Sequence, residues 1–283
     1  MNIVVAGASG VIGRALVPML VEAGHEVVGL IRNPALAPVL EKMGARPVQV
    51  DVYDRDALFE AIRQAKPEAV VHQLTALGDR DFAANANIRT VGTRNLVDAA
   101  LAAGVRKMIA QSISWAYAPG EGPATEEEPL DLDAPPPRRA TVEGVYALER
   151  QTAEMPEHVI LRYGLFYGEG TWYAKDGLFA EQARRGELAA TDGVSSFVHV
   201  ADAARAARLA LDWPSGAVNV VDDEPAPGTD WLPVFAEAVG APFPDARGGA
   251  NRGERGASNA KARRYGWVPE AATWRTGFRD RLG

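Results

Sequence analysis

The sequence predicts an α/β fold: a doubly wound parallel sheet with a smaller C-terminal substrate domain. Two observations predict the sheet. Short apolar runs alternate with longer amphipathic stretches through the first half of the chain, and a glycine-rich turn joins the first two of them. A third observation predicts the second domain, because the alternation loosens beyond about residue 168. A repeated strand–helix pattern places parallel strands in the middle and helices on both faces.

The elements follow in order along the chain. Short apolar runs rich in β-branched residues are typical of buried strands, and amphipathic stretches that end near a glycine are typical of helices. The predicted strands are 2–7, 25–32, 45–51, 68–74, 106–114, 158–168, 195–200 and 217–223. The predicted helices are 11–24, 56–65, 87–104, 141–155, 177–187, 201–212, 229–239 and 258–265.

Two stretches between these elements are predicted to be loops. Residues 118–140 are rich in proline and acidic residues, and residues 245–259 are rich in glycine and arginine. We expect the acidic run 126–128 to be solvated, with a lid over a pocket as the alternative, and we expect 245–259 to be mobile without ligand. Thr141 is the predicted N-cap of the helix that follows the first loop.

Composition excludes several classes of function. The formal net charge of −7 disfavours a nucleic-acid partner, because phosphate backbones bind basic surfaces. The absence of cysteine excludes disulfides, thiolate metal sites and cysteine nucleophiles. The four histidines show no metal-ligand spacing, so no metal is predicted. No apolar run approaches the ~20 residues of a membrane span, and the N-terminus lacks a basic signal-peptide start. We therefore expect a cytoplasmic protein without a membrane partner.

The turn GASGVIG, at residues 7–13, is the strongest functional signal. Gly7 permits a tight turn out of the strand, Gly10 lets backbone approach a diphosphate, and Gly13 lets the helix pack close to the sheet. The helix N-terminus offers unpaired N–H groups to the phosphates. This context predicts a dinucleotide site of the Rossmann type. Its predicted cofactor contacts are Gly7, Ser9, Gly10, Val11, Ile12 and Gly13.

The end of the second strand predicts which cofactor binds. A carboxylate at this point would hold the ribose 2′-hydroxyl of NAD, whereas a cation suits the 2′-phosphate of NADP. The sequence VVGLIRNP has no carboxylate and carries Arg32, whose guanidinium can bind phosphate through two hydrogen bonds. The prediction is therefore NADP, with NAD as the alternative.

Several motifs together resemble those of the extended short-chain dehydrogenase/reductase family, the NAD(P)-dependent epimerase/dehydratase-like proteins. They are GASGVIG (7–13), the pair Asp51-Val52, VVHQLTA (70–76), NIRTVGTRNLVDAALAAGV (87–105), LRYGLFYGEGT (161–171), FVHVADAARAARLAL (197–211) and NVVDDEP (219–225). The resemblance covers nearly the whole chain. It implies that Asp51 and Val52 hold the adenine and that Leu74, Thr75 and Ala76 lie along the cofactor.

The resemblance also implies a domain division. The dinucleotide-binding domain is expected at 1–167 and 193–222, and the smaller substrate-binding domain at 168–192 and 223–283. Dimers formed by two helices of each subunit are common among similar proteins, so a homodimer is the oligomeric state that the resemblance implies.

A catalytic Ser/Thr and a Tyr-x-x-x-Lys pair are implied as well, with the tyrosine as general acid or base. Tyr146 lies at the tyrosine position, but Arg150 replaces the lysine. A free phenol has a pKa near ~10, so proton exchange at neutral pH needs a nearby cation. Arg150 keeps the charge and cannot lose a proton. The family's hydroxyl position, four residues before Tyr117, holds Ile113, and Ser112 and Ser114 flank it. Ser114 is the preferred substrate-polarising hydroxyl and Ser112 the alternative.

Substrate contacts are the least specified part of the prediction. Arg252 and Arg255 are candidates to bind a nucleotide diphosphate, although Ser196 stands where relatives often carry an arginine, which weakens that case. Trp115, Tyr167 and Trp172 are candidates for aromatic walls of a pocket, with ordinary core packing as the alternative.

The main hypothesis is an NADP-dependent reductase or dehydrogenase. It would transfer a hydride between nicotinamide and a carbonyl or hydroxyl carbon of a sugar-like or secondary-metabolite substrate. One alternative is a nucleotide-sugar epimerase or dehydratase that retains NAD(P). A second is a catalytically impaired sensor that binds NADP(H), which the departures at Arg150 and Ile113 would permit.

Overall fold

The predicted alternation of strands and helices builds a seven-stranded sheet in the computed structural model, which describes residues 1–78 and 81–283. The strands are β1 (Asn2–Ala6), β2 (Glu26–Ile31), β3 (Arg46–Gln49), β4 (Ala69–His72), β5 (Lys107–Ile113), β6 (Glu157–Tyr163), β7 (Leu165–Tyr167), β8 (Val194–Ser195), β9 (Phe197–His199), β10 (Gly216–Val220) and β11 (Ala226–Pro227).

The helices are α1 (Val11–Glu22), α2 (Ala37–Lys42), α3 (Arg55–Ala65), α4 (Phe82–Asn87), α5 (Thr93–Ala102), α6 (Arg138–Thr152), α7 (Leu178–Arg184), α8 (Val200–Leu209), α9 (Gly228–Ala238), α10 (Ala260–Arg264) and α11 (Trp274–Asp280). A π-helical segment, Ile88–Gly92, joins α4 to α5.

The main sheet has the strand order β10-β6-β5-β4-β1-β2-β3. β1 pairs in parallel with β2 and β4, β2 with β3, and β4 with β5. Strand order reverses at β1, which is the switch point where α/β proteins of this kind bind ligands beyond the carboxyl ends of the strands. The predicted fold class, a doubly wound parallel sheet, is confirmed.

The chain divides into two compact units. The first comprises Met1–Ser112, Pro135–Leu161 and Ala204–Ala217, and the second comprises Ile113–Ala134, Arg162–Ala203 and Val218–Gly283. Apolar strand residues of the first unit pack against helices α3 and α5, as the buried cluster around Val4, Val70 and Leu96 shows. The second unit has an aromatic core in which Phe197, Phe235 and Phe278 are buried.

Some boundaries differ from the prediction. Helix α6 begins at Arg138 after Pro137, so Thr141 lies inside the helix and is not its N-cap. The sequence pattern also missed the short helices α2, α4 and α11. The predicted helix 87–104 is interrupted by the π-helical segment, because periodicity cannot show a local change from four-residue to five-residue spacing. Within the described residues, no helix is long and apolar enough to cross a bilayer.

Candidate active site

The glycine turn between β1 and α1 leaves no room for side chains. Gly7 has a φ of 91°, and a Cβ there would lie 2.6 Å from the backbone oxygen of Gln73. A Cβ on Gly13 would lie 2.3 Å from the carbonyl oxygen of Gly7. The Gly10 N–H donates to the Gly7 oxygen at 3.0 Å and closes the turn. The turn is thus held close to the backbone that follows β4 on one side and to the first turn of α1 on the other.

This turn fits the diphosphate of a dinucleotide. Gly10 is the N-cap of α1, makes no side-chain capping hydrogen bond, and is exposed. A Cβ on Gly10 would occupy the space directly in front of the helix N-terminus, where the helix dipole favours an anion. No acidic residue lies in the first turn of α1. Ser9 and Val11 flank Gly10, while Ile12 is buried beneath it.

Gln73 lies beside the turn and was missed by the sequence analysis. Its side chain is only 5% exposed, and both amide atoms lack a hydrogen-bond partner among the described residues. Its N–H donates to the oxygen of Ala6 at 2.8 Å, which joins the end of β4 to the end of β1. A buried amide without partners is costly and is often satisfied by a ligand or water. The glutamine therefore adds a second feature that suits a polar ligand here.

Arg32, Asp51 and Val52, which are predicted to bind the adenine half of the cofactor, follow strands β2 and β3. Arg32 directly follows β2, is exposed, and has no ion pair within residues 1–78 and 81–283. Asp51 accepts a hydrogen bond from the Tyr53 N–H at 3.0 Å. Val52 is buried, and its carbonyl oxygen accepts from the Asn95 side chain at 2.9 Å. These contacts fix the backbone after β3 and leave the Arg32 guanidinium available.

A buried histidine fixes the loop after β4. The Leu74 N–H donates to His72 Nδ1 at 3.3 Å, so His72 Nε2 carries the proton that faces Thr93 Oγ1 at 2.9 Å. The Thr93 hydroxyl donates in turn to the oxygen of Ile88 at 3.1 Å. Burial lowers the pKa of His72 to about 4. The neutral ring acts as a connector between this loop and the π-helical segment.

The residues of the loop after β4 that are predicted to contact the cofactor, Leu74, Thr75 and Ala76, differ in burial and in hydrogen bonding. Asn85 is buried and accepts a hydrogen bond from the Ala76 N–H at 3.1 Å. Thr75 is exposed, and Leu74 is half-buried against the core of the first unit.

Tyr146 and Arg150 lie on one face of α6. Arg150 Nη1 donates to the Tyr146 hydroxyl at 3.3 Å, and the guanidinium carbon lies 5.7 Å from the ring centroid. The phenol is 39% exposed. The structure therefore brings the two predicted residues together, but through a long, solvent-accessible hydrogen bond.

The acid between these two residues, Glu149, is not among the predicted site residues. Glu149 is buried, and its Oε1 accepts a hydrogen bond of 2.7 Å from the Ser112 hydroxyl on β5. Ser112 thus donates its single hydroxyl proton to Glu149. Arg89, in the π-helical segment, is also buried. The signal available in the sequence was the glutamate within the Y-x-x-x-R spacing. Its burial, which only the structure shows, makes a partner necessary because charged groups are rarely buried without partners.

The second unit contains the other predicted residues. Ser114 is buried, and its N–H donates to the oxygen of Tyr163 at 2.8 Å, while Trp115 is 41% exposed. Tyr167 is fully buried in the aromatic core, in edge contact with Phe278. Its burial gives it a packing role. Trp172 is half-buried and contacts Phe179 edge-on.

Arg252 and Arg255 bind carboxylates of the proline-rich loop. Arg252 contacts buried Asp131 through three hydrogen bonds of 2.8 to 3.1 Å. Arg255 pairs with Glu128 and also donates to the oxygens of Gly122 and Glu121. Both guanidinium groups are therefore engaged by the protein, and the 245–259 segment is attached to the 118–134 loop.

Comparison with known proteins agrees with the geometry of the glycine turn. The model of the NAD dependent epimerase/dehydratase family matches residues 3–221. A "3-diazoavenalumate denitrifying reductase" of Streptomyces sp is 42% identical, covering 98% of this chain and 99% of the relative.

This chain belongs to the NAD dependent epimerase/dehydratase family.

Two further relatives show the range of the family. A 2-alkyl-3-oxoalkanoate reductase of Stenotrophomonas maltophilia is 31% identical, covering 87% of this chain and 78% of the relative. The structure of Thermus thermophilus UDP-glucose 4-epimerase in complex with NAD is 26% identical, with a TM-score of 0.76, and covers 100% of this chain and 98% of that one. The resemblance stated from sequence is confirmed: the chain is an NAD(P)-dependent oxidoreductase or epimerase of the extended short-chain dehydrogenase type.

Across residues 1–78 and 81–283, no group of at least three histidine, aspartate or glutamate residues could hold a metal ion.

Proposed function

We propose that this chain is an NADPH-dependent reductase whose substrate is a small aromatic carboxylate that carries a diazo group. The observation that carries the proposal is the 42% identity, over essentially both full lengths, to a reductase named for a diazo carboxylate. The glycine turn supplies the diphosphate cradle that such a reductase needs. Preference for NADPH over NADH rests on Arg32, which is exposed at the end of β2 with no carboxylate beside it in sequence.

Proton requirements distinguish a diazo substrate from a carbonyl. When bound, NADPH supplies one hydride, that is, two electrons and a proton. An arenediazonium that accepts hydride at its terminal nitrogen becomes a neutral aryldiazene, which loses N₂ while its hydrogen ends on the ring carbon. This reduction consumes no further proton. A carbonyl that accepts hydride becomes an alkoxide, and the enzyme must then deliver a proton to it.

The residues of α6 suit the substrate that needs no proton from the protein. The lysine of the family is absent, Tyr146 is exposed, and its hydrogen bond to Arg150 is long. The Ser112 hydroxyl donates its proton in a hydrogen bond to Glu149. In this proposal Tyr146 and Arg150 bind and orient cofactor and substrate, and Arg150 contributes a permanent positive charge. Ser114 stays a predicted polarising hydroxyl, and Trp115, Trp172, Arg252 and Arg255 stay predicted substrate contacts.

A carbonyl reductase is the second candidate, favoured by the 31% identity to an oxoalkanoate reductase. In that case Tyr146 would be the proton donor, with its phenolate stabilised by the Arg150 guanidinium at 3.3 Å. Loss of the hydroxyl would then lower turnover by roughly 10²- to 10⁴-fold, the usual contribution of a general acid.

The test compares two acceptors and two variants. A diazotised aminocinnamate and a 3-oxoalkanoate are each offered with NADPH, and NADPH oxidation and product are followed against a control without enzyme. With NADPH deuterated at the transferable position, the proposal expects slower NADPH oxidation, release of N₂ and one cinnamate formed for each NADPH oxidised. It also expects Tyr146→Phe to reduce diazo turnover less than about threefold, because no general acid is used.

Other outcomes select other functions. Turnover of the oxoalkanoate alone, abolished by Tyr146→Phe, would identify the carbonyl reductase. NAD(P) that co-purifies and shows no net oxidation or reduction would identify an epimerase or dehydratase. A homodimer and a cytoplasmic location stay predictions that size-exclusion chromatography with light scattering and cell fractionation can check.

A further inference from the structure

Helix α6 carries a buried acid immediately before Arg150. Glu149 is 8% exposed and accepts the Ser112 hydroxyl proton at 2.7 Å, whereas its neighbours Tyr146 and Arg150 are exposed. The same turn of helix therefore has a buried anion that points to β5 and two exposed side chains that can meet a ligand.

Arg89 supplies a buried cation to the same region. Its side chain is largely buried, and its aliphatic part packs on α6 where Gly144 has no side chain, with Cδ 3.5 Å from the position a Cβ would take. Burial lowers the pKa of Arg89 to about 10, and the Glu149 carboxylate counters that shift. Gly144, an unfavourable helix residue on propensity alone, is thus the residue of α6 beside which the arginine lies, and a methyl group there would make only an ordinary contact with it.

The backbone around Arg89 departs from α-helical geometry as well. Arg89 lies in the π-helical segment Ile88–Gly92, and the segment is joined through Thr93 to His72 at the end of β4. π-helical turns inside longer helices are frequent at functional sites, since the wider turn redirects side chains. A conformational irregularity, a helical glycine and two buried charges therefore coincide in one place.

The sheet order shows which half of a bound dinucleotide would lie near this place. The glycine turn follows β1. Arg32 follows β2 on one side, and Ser112 lies near the end of β5 on the other, beyond β4. A dinucleotide that crosses the sheet edge with its diphosphate at β1 has one half on each side. With the 2′-phosphate at Arg32, the nicotinamide half lies over β4 and β5.

We propose that Arg89, Glu149 and Ser112 form a positioning unit that holds the α6 turn bearing Tyr146 and Arg150 against the nicotinamide half of NADP(H). The inference rests on the cofactor use put forward under the proposed function, but not on the identity of the reduced substrate. None of the three residues needs to touch the cofactor.

Removal of one charge and removal of both have different consequences. A single substitution removes one of two opposite buried charges, which destabilises the fold, whereas replacement of both by uncharged side chains of similar volume is often neutral. The double variant Arg89→Met/Glu149→Gln therefore separates positioning from folding. The exposed pair Arg139–Glu143, with Nε 2.8 Å from Oε1 on the same helix, offers the matched control Arg139→Met/Glu143→Gln.

The test titrates each full-length variant with NADPH and with 2′-phospho-ADP-ribose, which lacks the nicotinamide. We expect the Arg89/Glu149 double variant to bind NADPH roughly tenfold more weakly and 2′-phospho-ADP-ribose within about twofold of wild type. The control variant should bind both like wild type. Thermal unfolding of the same samples shows that the double variant is folded, and Ser112→Ala should produce a smaller loss in the same direction.

Equal loss of affinity for both ligands, or no loss for either, would overturn the inference. A folded wild type that binds neither ligand would overturn it together with the cofactor assignment. A wild type that binds NADPH but reduces neither a diazo compound nor a carbonyl would contradict the proposed function alone. The difference between the affinities for NADPH and for 2′-phospho-ADP-ribose would still test the positioning role.

Discussion

The glycine turn and the α6 turn are two parts of the first compact unit that are built in different ways. At the glycine turn the contacts are between backbone atoms, and a Cβ on Gly13 would lie 2.3 Å from the Gly7 oxygen. At α6 the contacts are between side chains, and a Cβ on Gly144 would meet the flexible Arg89 side chain at 3.5 Å. Both helices contain a glycine, but only the first glycine is required by its surroundings.

This difference explains why one region is ordinary for its family and the other is not. Backbone groups bind phosphate whatever the neighbouring side chains are, so the only requirement is the absence of Cβ atoms. The α6 turn depends on the identity of each side chain, and there Arg150 stands where the family resemblance implies a lysine. Sequence change can therefore alter the side-chain contacts of α6 while the backbone of the glycine turn stays the same.

The largest expected effect comes from Gly13→Ala. The added methyl would overlap the backbone of Gly7 and Ala8, at 2.3 and 2.5 Å, so α1 must move away from the sheet. We expect a loss of about 3 kcal/mol in the free energy of unfolding, at the upper end for overpacking, and loss of measurable NADPH binding. Urea unfolding and fluorescence titration check both. Wild-type stability in this variant would show that the turn is looser than the distances indicate.

A second effect concerns His72, which supports the loop beside the glycine turn. Its pKa is about 4 in the folded protein, owing to burial, against 6.5 for a free imidazole. The unfolded chain therefore binds more protons between these values, so stability is complete above about pH 7 and falls as pH decreases. From about pH 7.5 to 5.5 this histidine should remove about 1.3 kcal/mol from the free energy of unfolding.

Comparison with His72→Gln isolates the contribution of His72. His199 is also shifted downward by burial, and it titrates in both proteins. Urea unfolding at the two pH values should show a smaller pH-dependent loss in the variant, by about the stated amount. Equal losses in the two proteins would exclude His72 as the source.

Arg32→Ala should have a smaller effect, limited to cofactor selectivity. Removal of an exposed guanidinium that pairs with the 2′-phosphate should weaken NADPH binding about fivefold, close to 1 kcal/mol, and leave NADH binding unchanged. Arg14 is a suitable control, because its side chain donates to the Ser9 oxygen near the same turn. An unchanged NADPH/NADH ratio in Arg32→Ala would remove the basis for preferring NADP.

The smallest effect, and of opposite sign to the first, is expected for Gly144→Ala. The new methyl makes an ordinary contact with Arg89, and alanine stabilises a helix interior relative to glycine by about 0.5–1 kcal/mol. A higher unfolding midpoint would support the contrast between the two helical glycines. Destabilisation as large as that of Gly13→Ala would mean that the Arg89 side chain cannot move and that the α6 region is as tightly specified as the turn.

The fold was largely predictable because its pattern is local. Strand and helix positions in the first unit agree with the prediction within a few residues. Burial of one face of an element imposes a periodic pattern of apolar residues, which is visible in the sequence. The short helices α2, α4 and α11 were missed because each spans only six or seven residues, too few for a periodic pattern. The π-helical segment was missed for a related reason, because it changes hydrogen bonding and leaves composition unchanged.

Side-chain partners were much harder to predict than elements. Arg252 and Arg255 are predicted phosphate ligands because arginine pairs well with phosphate, and in the structure both pair with carboxylates more than 120 residues away in the chain. Tyr167 was chosen for its aromatic ring and is part of a core instead. In each case residue type indicated what the group can bind, and the partner came from a distant segment.

The amino-acid sequence by itself determined the layered α/β architecture, the glycine turn at the switch point of the sheet and the place of Arg32 at the end of β2. Each of these depends on spacing along a short segment, so neighbouring residues suffice to specify it. Only the tertiary structure decided that Glu149 and Arg89 are buried, that Ser112 donates to the glutamate, and that the Arg89 side chain packs beside Gly144. Those outcomes depend on which helix packs on which strand. Such packing brings together residues that are far apart in the sequence, and their spacing along the chain does not predict the contact.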